Sequence, residues 1–443
     1  MAAERPGKRY HAERGNEERG NEEGGNEERT ADMLPLTDTV TPADQAELAA
    51  TVCEAFATDT PLYPLGGRTA LDFGVVPKRP GLGVSLAGLT RVVDYPYHDM
   101  TITVESGITM AELSAVLARE GQRLPIDAGQ AEQATLGGLL ATNFSGPRRY
   151  GHGTVRDYVI GISAVDGRGV AFKGGGRVVK NVAGYDFCKL LTGSLGTLAI
   201  ISQVTLKVKP LPGATAWLTC ELPNFSRAES LLAAMVDSKT TPVAIELVSG
   251  AHWQGTDRTP MLIVDRRTLG VLLVGFEGTE SEVDWQIEQL RSEWRAQGAS
   301  VFGHHVDDAA RQLGSRLTQF GSSPAPLVLK INVRPSAVIS IMELLLNIDP
   351  NASLASHAGN GVVIAAFSEF SLADASKTLI QRLQPAAVAA GGNVVVWSCA
   401  CGELTRQAVW GAGRGDAEMM RAVKRQFDPK GLLNPDRFVY GTL

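Results

Sequence analysis

The stretch Ala134-Thr135-Leu136-Gly137-Gly138 is continued by Asn143-Phe144-Ser145-Gly146-Pro147-Arg148-Arg149-Tyr150-Gly151. It closes with Lys180-Asn181-Val182-Ala183-Gly184-Tyr185-Asp186 and Gly193-Ser194-Leu195-Gly196-Thr197-Leu198. Its glycines stand between apolar, β-branched runs such as residues 198–208. A strand ending in glycine lets backbone N–H groups reach a large polar ligand, because no Cβ stands in the way. An elongated, phosphorylated cofactor suits such a surface.

Upstream, Leu62-Tyr63-Pro64-Leu65 reads as a strand running into Gly66-Gly67-Arg68-Thr69-Ala70. Paired glycines and a hydroxyl at a strand end present several N–H donors to one anion, as a pyrophosphate cradle does. Arg68 could equally be a plain surface residue.

The chain has 443 residues, which favours two domains. With 44 % hydrophobic and 20 % charged residues it has the mix of a globular protein with a sizeable core. A formal net charge of -6 and the lack of a basic run argue against nucleic acid as a partner. The five cysteines, Cys53, Cys188, Cys220, Cys399 and Cys401, are odd in number and scattered, which favours reduced thiols and a cytoplasmic place. No apolar run is long enough to span a bilayer.

Residues 1–33 repeat Arg14-Gly15-Asn16-Glu17-Glu18 as Arg19-Gly20-Asn21-Glu22-Glu23 and Gly24-Gly25-Asn26-Glu27-Glu28. So polar a tract cannot offset its ordering entropy and is expected to be a disordered low-complexity tail. A helix then starts at Thr41-Pro42-Ala43-Asp44, with Thr41 as its cap and Ala49, Val52, Cys53 and Phe56 on its packed face. Residues 100–104 alternate as a strand, and Thr109-Met110-Ala111-Glu112 forms a capping box for a helix that stops at Gly121. After Pro210-Leu211-Pro212-Gly213 strands and helices alternate: a helix is expected over 280–296, strands over 243–248, 271–276, 327–333, 362–367 and 393–397, and a helix over 372–389. That pattern predicts a second α+β unit with helices on one face of a sheet. The tail Phe427-Asp428-Pro429-Lys430-Gly431-Leu432-Leu433-Asn434-Pro435-Asp436-Arg437-Phe438 is too turn-rich to be helical throughout.

In order and spacing, these motifs resemble the flavoproteins of the vanillyl-alcohol oxidase/PCMH class. The runs Ser145 to Arg149 and Lys180 to Asp186 resemble, more narrowly, the smaller E-type FAD-binding subunits of bacterial glycolate oxidases. The resemblance implies an α+β fold: a two-part PCMH-type FAD-binding domain over 34–212, a cap-like α+β domain over 213–405, and a C-terminal segment 406–443 returning to the first domain. It implies noncovalent FAD, since Arg68 stands where covalent-flavin relatives often place histidine. Gly66, Gly67, Arg68, Thr69 and Ala70 would lie on the pyrophosphate. Thr135, Leu136, Gly137, Gly138, Thr142, Asn143, Ser145 and Gly146 would follow the flavin and ribityl chain, and Gly196, Thr197 and Ile201 the adenine side. As partners it implies a larger flavoprotein subunit and an iron–sulfur subunit, with glycolate oxidised to glyoxylate at the level of the complex and any membrane contact made through those partners. Alternatives are a structural FAD-binding subunit and a stand-alone FAD-linked oxidase of another substrate.

Competing signatures are absent: no Gly-x-Gly-x-x-Gly opens a helix, and Cys399-Ala400-Cys401 lacks the further thiolates of an iron–sulfur cluster. Oxidising a 2-hydroxy acid on flavin needs a hydride acceptor, a base for the hydroxyl proton and a cation for the carboxylate. Related catalytic subunits resemble one another in a His-Ala-Gly-Asp-Gly-Asn-x-His type of motif. Here the run is Ser356-His357-Ala358-Gly359-Asn360-Gly361-Val362-Val363-Ile364, and isoleucine can neither bind a metal nor move a proton. No metal is therefore expected. His357 reads either as a flavin- or substrate-facing imidazole or, favoured here, as a turn residue bonded to backbone whose replacement should matter little. Adjacent His304 and His305 cannot share one site from a regular strand and read as surface. Arg148 and Arg149 are candidates for an anionic group or for a salt bridge at the domain seam. Tyr185 and Asp186 could orient the flavin or fix a turn.

Overall fold

A computed structural model describes residues 33–176, 184–254, 269–370, 372–400, 403–412, 415–439 and 441. Most of the repeat-rich tail, the segment 177–183 and Cys401 lie outside the described residues, so the readings made for them are not addressed.

The N-terminal half holds two sheets. In the smaller, Gly81–Ser85 lies between Leu36–Val40 and Leu62–Leu65 and runs parallel to both. The helix Gln45–Thr58 buries Leu48, Val52 and Ala55 against Leu62, Val84 and Ile200. Asp44, not Thr41, caps this helix by accepting from the Ala46 and Glu47 amides, and Cys53 is exposed rather than packed. The capping residue sits three places later than expected, and the packed face runs through Leu48, Val52 and Ala55, so that of the expected set only Val52 is fully buried.

The larger sheet is antiparallel, in the order Val92–Asp94, Thr101–Glu105, Ala199–Lys207, Val159–Asp166, Ala171–Gly175. All five residues of Thr101–Glu105 are buried, so this strand is covered on both faces. The helix Met110–Ala118 begins with the expected capping box: the Glu112 amide donates to Thr109 Oγ1 at 3.2 Å and the Thr109 amide to Glu112 Oε2 at 3.1 Å.

The second half is built on one eight-stranded antiparallel sheet. Its order is Phe302–Val306, Ala214–Leu222, Gly270–Gly278, Ala244–Ser249, Ser353–His357, Val362–Phe367, Leu327–Asn332, Asn393–Cys399. Alternate side chains define two faces. Leu218, Leu247, Leu272, Ile331 and Val363 pack on the helices Phe225–Ala234, Glu280–Ala296 and Val338–Ile348. Trp217, Val248, Leu273, Ala355 and Ile364 form a separate core on the other face.

Two expectations change here. A helix, Asp307–Gln319, lies on that second face through Ala310, Leu313 and Leu317, so the helices are not confined to one side. The helix over 372–389 is interrupted by a π-turn at Leu379–Leu383 just before Pro385, whose missing N–H cannot continue the regular ladder. His304 is exposed and His305 half-buried on the edge strand.

The two halves are joined through Glu277, on the strand Gly270–Gly278. Arg123 grips its carboxylate with both terminal nitrogens, at 2.8 and 2.6 Å. Arg148 reaches it at 3.3 Å and His152 Nε2 at 2.8 Å. Arg148 also donates through Nε to Asp127 at 2.7 Å and through its backbone amide at 2.7 Å. Burial alone would push the Glu277 carboxyl up, but hydrogen bonds from Arg123 and His152 and the charges of Arg123 and Arg148 outweigh it and hold the group far below the usual carboxylate range. Beside this knot, the short helix Arg149–His152 rests on the large sheet, the Gly151 amide donating to Val243 O at 3.0 Å.

Breaking this knot should cost stability. A folded-state pKa below the unfolded value gives stability that is present above about pH 4.5 and is lost as pH falls toward the folded pKa. Glu277→Gln is expected to destabilise the chain by about 3 kcal/mol at pH 7, because it strands buried cations. The gap from wild type should narrow on acidification below pH 4.5. Urea melts at pH 7 and pH 4 measure both; equal midpoints at pH 7 would contradict the assigned role.

Candidate functional site

A cleft opens between the glycine-rich segments and the second face of the large sheet. Its floor is the loop Gly66, Gly67, Arg68, Thr69, Ala70 and Leu71, with Thr135 before the helix Leu136–Thr142, Gly137, Gly138 and Thr142 within it, Leu195–Gly196, and Ala199 to Ile201. Across it the large sheet and its surroundings contribute Ser322, Lys330 and Trp397, and the C-terminal tail contributes Asn434 and Arg437.

The backbone explains why this floor is bare. A Cβ on Gly67 would stand 1.6 Å from the Gln133 carbonyl oxygen, so the loop closes against the next segment only without a side chain. At Gly138 a Cβ would meet only Thr135 Oγ1, at 3.3 Å, so the space there belongs to the cleft. Arg68, Leu195 and Asn434 hold φ of 59°, 54° and 45°, a left-handed backbone uncommon outside glycine, and all three line the cleft. Thr135 caps the helix Leu136–Thr142 by accepting from the Gly138 amide at 3.3 Å.

Of the sequence-predicted cofactor residues, Gly66, Gly67, Arg68, Thr69, Ala70, Thr135, Gly137, Gly138, Thr142, Gly196 and Ile201 come together on this cleft. Leu136, Asn143, Ser145, Gly146 and Thr197 do not line it. Leu136 is buried in the core, Asn143 ends the helix, Ser145 accepts from Arg149 at 2.8 Å, and Gly146 packs on Asp127. Thr197 donates to Ser194 O at 2.6 Å.

Arg148 and Arg149 also stay away from the cleft wall: Arg148 belongs to the seam and Arg149 is turned to Ser145. Asp186 caps the helix Phe187–Leu191 and Tyr185 is exposed, which fits the turn-fixing reading of this pair. His357 departs from the favoured reading. It is the last residue of a strand, 3 % exposed, with Nδ1 at 2.9 Å from both carboxylate oxygens of Glu246, which is itself 1 % exposed. Burial pushes the Glu246 carboxyl up, and the charge and hydrogen bond of His357 pull it back.

The cap-side residues escaped the sequence reading. Lys330 occupies the middle of the apolar strand Leu327–Asn332 and shares a sheet face with Ile364 and Ala355. It makes no ion pair or hydrogen bond among the described residues, and its ammonium lies 5.4 Å from the centre of the Trp397 ring. Burial, aided by the positive charge of Arg149, brings its pKa down to about 8. Trp397, Phe73 and Phe144 form an aromatic wall beside it, with centroids 6.3 and 5.5 Å apart across Trp397. A charge in mid-strand of a buried run was the signal available for Lys330.

Residues 38–175 match the family described as FAD binding domain, and residues 211–438, just over half the chain, match FAD linked oxidases, C-terminal domain. The D-2-hydroxyglutarate dehydrogenase of Xanthomonas citri pv. viticola is 26 % identical over 89 % of this chain and 88 % of its own length. The glycolate oxidase subunit GlcD of Bacillus subtilis is 24 % identical over 89 % of the chain and 86 % of its own. The glycolate oxidase subunit GlcE of Escherichia coli is 36 % identical over 39 % of the chain and 49 % of its own length. A solved alkyldihydroxyacetonephosphate synthase shares the fold with a TM-score of 0.66 at 20 % identity, covering 90 % of this chain and 75 % of that one. The cleft fits FAD: a glycine-rich floor admits a dinucleotide, and cations with no carboxylate at ion-pair distance among the described residues line the walls.

Gly138→Val should fold but purify without flavin, because its branched side chain enters the ligand's space; a variant that keeps full flavin absorbance would contradict the assigned floor. His357→Ala should lose about 3 kcal/mol in a urea melt by leaving the Glu246 carboxylate buried and unpaired, and wild-type stability would show the pair to be dispensable. With a bare dinucleotide floor, a capping sheet and family matches over both halves, the chain belongs to the FAD-linked oxidases: it is an FAD-binding oxidoreductase of the two-domain PCMH-type fold.

Proposed function

We propose that this chain oxidises a small 2-hydroxy acid, glycolate giving glyoxylate, as an E-type FAD-binding subunit of a glycolate oxidase complex. In this reading its FAD is noncovalent, and its partners are a larger flavoprotein subunit and an iron–sulfur subunit. The chain divides as 34–212, 213–405 and 406–443, stays in the cytoplasm and meets a membrane only through its partners. No helix among the described residues is long and apolar enough to cross one. D-2-hydroxyglutarate enters as a competing substrate through the name of the Xanthomonas relative above, and D-lactate through that of the D-lactate dehydrogenase of Archaeoglobus fulgidus, 28 % identical over 90 % of this chain and 90 % of its own length.

Lys330 carries this reading. Bound FAD would supply a two-electron acceptor along the floor of the cleft. What the chain adds from the opposite wall is an ammonium without a carboxylate partner, beside an aromatic wall that keeps water off. A hydroxy acid held there by its carboxylate would be fixed by one strong contact in a partly desolvated site, which is how a small anion is oriented.

A second reading has a definite observation behind it. Ile364, 4 % exposed, shares a sheet face with Lys330 where the related motif carries a second histidine. The chain then holds a carboxylate-binding cation without that histidine, and its flavin would relay electrons only beside a partner.

The purified, FAD-loaded chain mixed anaerobically with glycolate, D-lactate or D-2-hydroxyglutarate separates the two. Bleaching of the flavin by one of them supports oxidation by this chain, whereas bleaching only after partner subunits are added supports relay. Half-saturation should rise at least tenfold in Lys330→Met. In the wild type, affinity should fall as pH rises through about 8, because only protonated Lys330 pairs with the carboxylate. A flat pH dependence, or an unaffected Lys330→Met, would remove Lys330 from the site.

A further inference from the structure

Arg437 stands out among the arginines of the described residues. It sits on the turn that follows the last helix, is 5 % exposed, and lines the cleft. Its two terminal nitrogens donate to the carbonyl oxygens of Leu71 and Phe73, immediately downstream of the loop 66–70. Its Nε is buried and has no hydrogen-bond partner. Among the described residues it makes no ion pair. Burial draws its pKa down to about 10, with Asp72 and Tyr63 as the only charges acting against that fall, so the guanidinium stays charged at neutral pH. Tyr63 cannot neutralise it there: its own hydroxyl is pushed up to about 12 by burial and donates to Arg79 O at 2.5 Å.

A guanidinium this deep, held by neutral carbonyls and with one donor unfilled, has no carboxylate at ion-pair distance among the described residues, Asp72 acting only from further off, and so lacks the close counter-charge that buried ions ordinarily require. The missing charge has to come from what fills the cleft. Three cations line that cleft: Arg68, Lys330 and Arg437. Lys330 stands by Trp397 on the far wall, and Arg68 is on the loop itself and less buried. Only Arg437 is both buried and tied to the end of the loop. Arg148 and Arg149, the arginines that the sequence offered for an anion, are turned to Asp127, Glu277 and Ser145.

We infer that Arg437 is the cation that receives the FAD diphosphate, presented by the C-terminal tail instead of by the glycine-rich half, and that its grip on Leu71 and Phe73 holds the loop 66–70 in its binding shape. The inference rests on that loop being the diphosphate end of the groove. The tail is anchored independently of Arg437: the Leu62 amide donates to Leu432 O at 2.9 Å, the Asn434 amide to Leu62 O at 2.8 Å, and Lys424 Nζ to Thr197 O at 2.6 Å. Removing the guanidinium therefore leaves the tail in place.

Apo-protein of wild type, Arg437→Met and Arg437→Lys, each checked by circular dichroism and thermal melting, is titrated with FAD, ADP and riboflavin, the first and last followed by flavin fluorescence and ADP by competition. FAD and ADP should bind Arg437→Met at least thirtyfold more weakly than wild type, with riboflavin unchanged. Arg437→Lys, which keeps the charge but cannot hold two carbonyls and a phosphate together, should lose about tenfold for FAD and ADP alone, and it decides the matter if the methionine variant does not fold. Equal losses for all three ligands would make Arg437 a structural residue, and unchanged FAD and ADP affinities would overturn the inference outright. Loss for FAD and riboflavin with ADP unchanged would place the guanidinium at the ring and refute the diphosphate assignment. If wild-type protein binds none of the three, it is the groove itself that fails, a result separable from any effect of Arg437.

Discussion

The contact on which the architecture turns is the carboxylate of Glu277, gripped by Arg123 and reached by Arg148 and His152. It is the strand residue of one half that three cationic or protonatable side chains of the other half surround. Two such groups meeting by chance on a surface would contribute little. Here burial raises the stakes: each charge is satisfied only while the two halves stay together. Because the cleft takes its floor from one half and Lys330 and Trp397 from the other, this seam sets the width of the site as well as the cohesion of the chain.

Buried charge follows one rule through the molecule. Glu277 is satisfied by Arg123, Arg148 and His152, Glu246 by His357, and Asp428 by Lys424 and the amides of Leu432 and Leu433. These pairs stabilise a shape. Lys330 and Arg437 stand apart, since each is desolvated, each lines the cleft, and neither has a carboxylate at ion-pair distance among the described residues. Such groups lower the stability of the empty protein and are completed by an anion. On the proposed function, the diphosphate of a dinucleotide and the carboxylate of a substrate would supply that anion at two separate places.

Much of the floor was legible because its signals are local. Glycines at the ends of strands, a capping threonine before Leu136 and the capping box at Thr109 each act within a few residues of chain. The opposite wall was not, because it comes from positions more than a hundred residues beyond the floor it faces. Lys330 reads as one polar residue in an apolar strand until the sheet order places that strand over the cleft. His357 was read as a turn residue since its partner, Glu246, is 111 positions away. Arg148 read as an anion site or as a seam salt bridge, and only the structure selects the second, because its partners Asp127 and Glu277 lie 21 and 129 positions away. The shifted start of the first helix is a smaller case of the same kind: two residue types that can cap stood three places apart, and only the chain's approach selects Asp44.

What distinguishes this chain chemically lies on the face shared by Lys330, Ile364 and His357. An isoleucine at that place adds to the apolar core formed with Val248, Ala355 and Ala366. The neighbouring imidazole is hydrogen-bonded instead to Glu246, and both side chains are buried. Restoring a ligand at 364 alone would place a polar ring in that core while His357 stayed committed to the carboxylate. The face is therefore internally consistent as it stands: a buried ammonium at Lys330, an apolar patch beside it, and a hydrogen-bonded histidine–carboxylate pair behind. Electron transfer from a bound hydroxy acid would then depend on how Lys330 and the aromatic wall hold it against the cofactor, and not on a Lewis acid supplied by these residues.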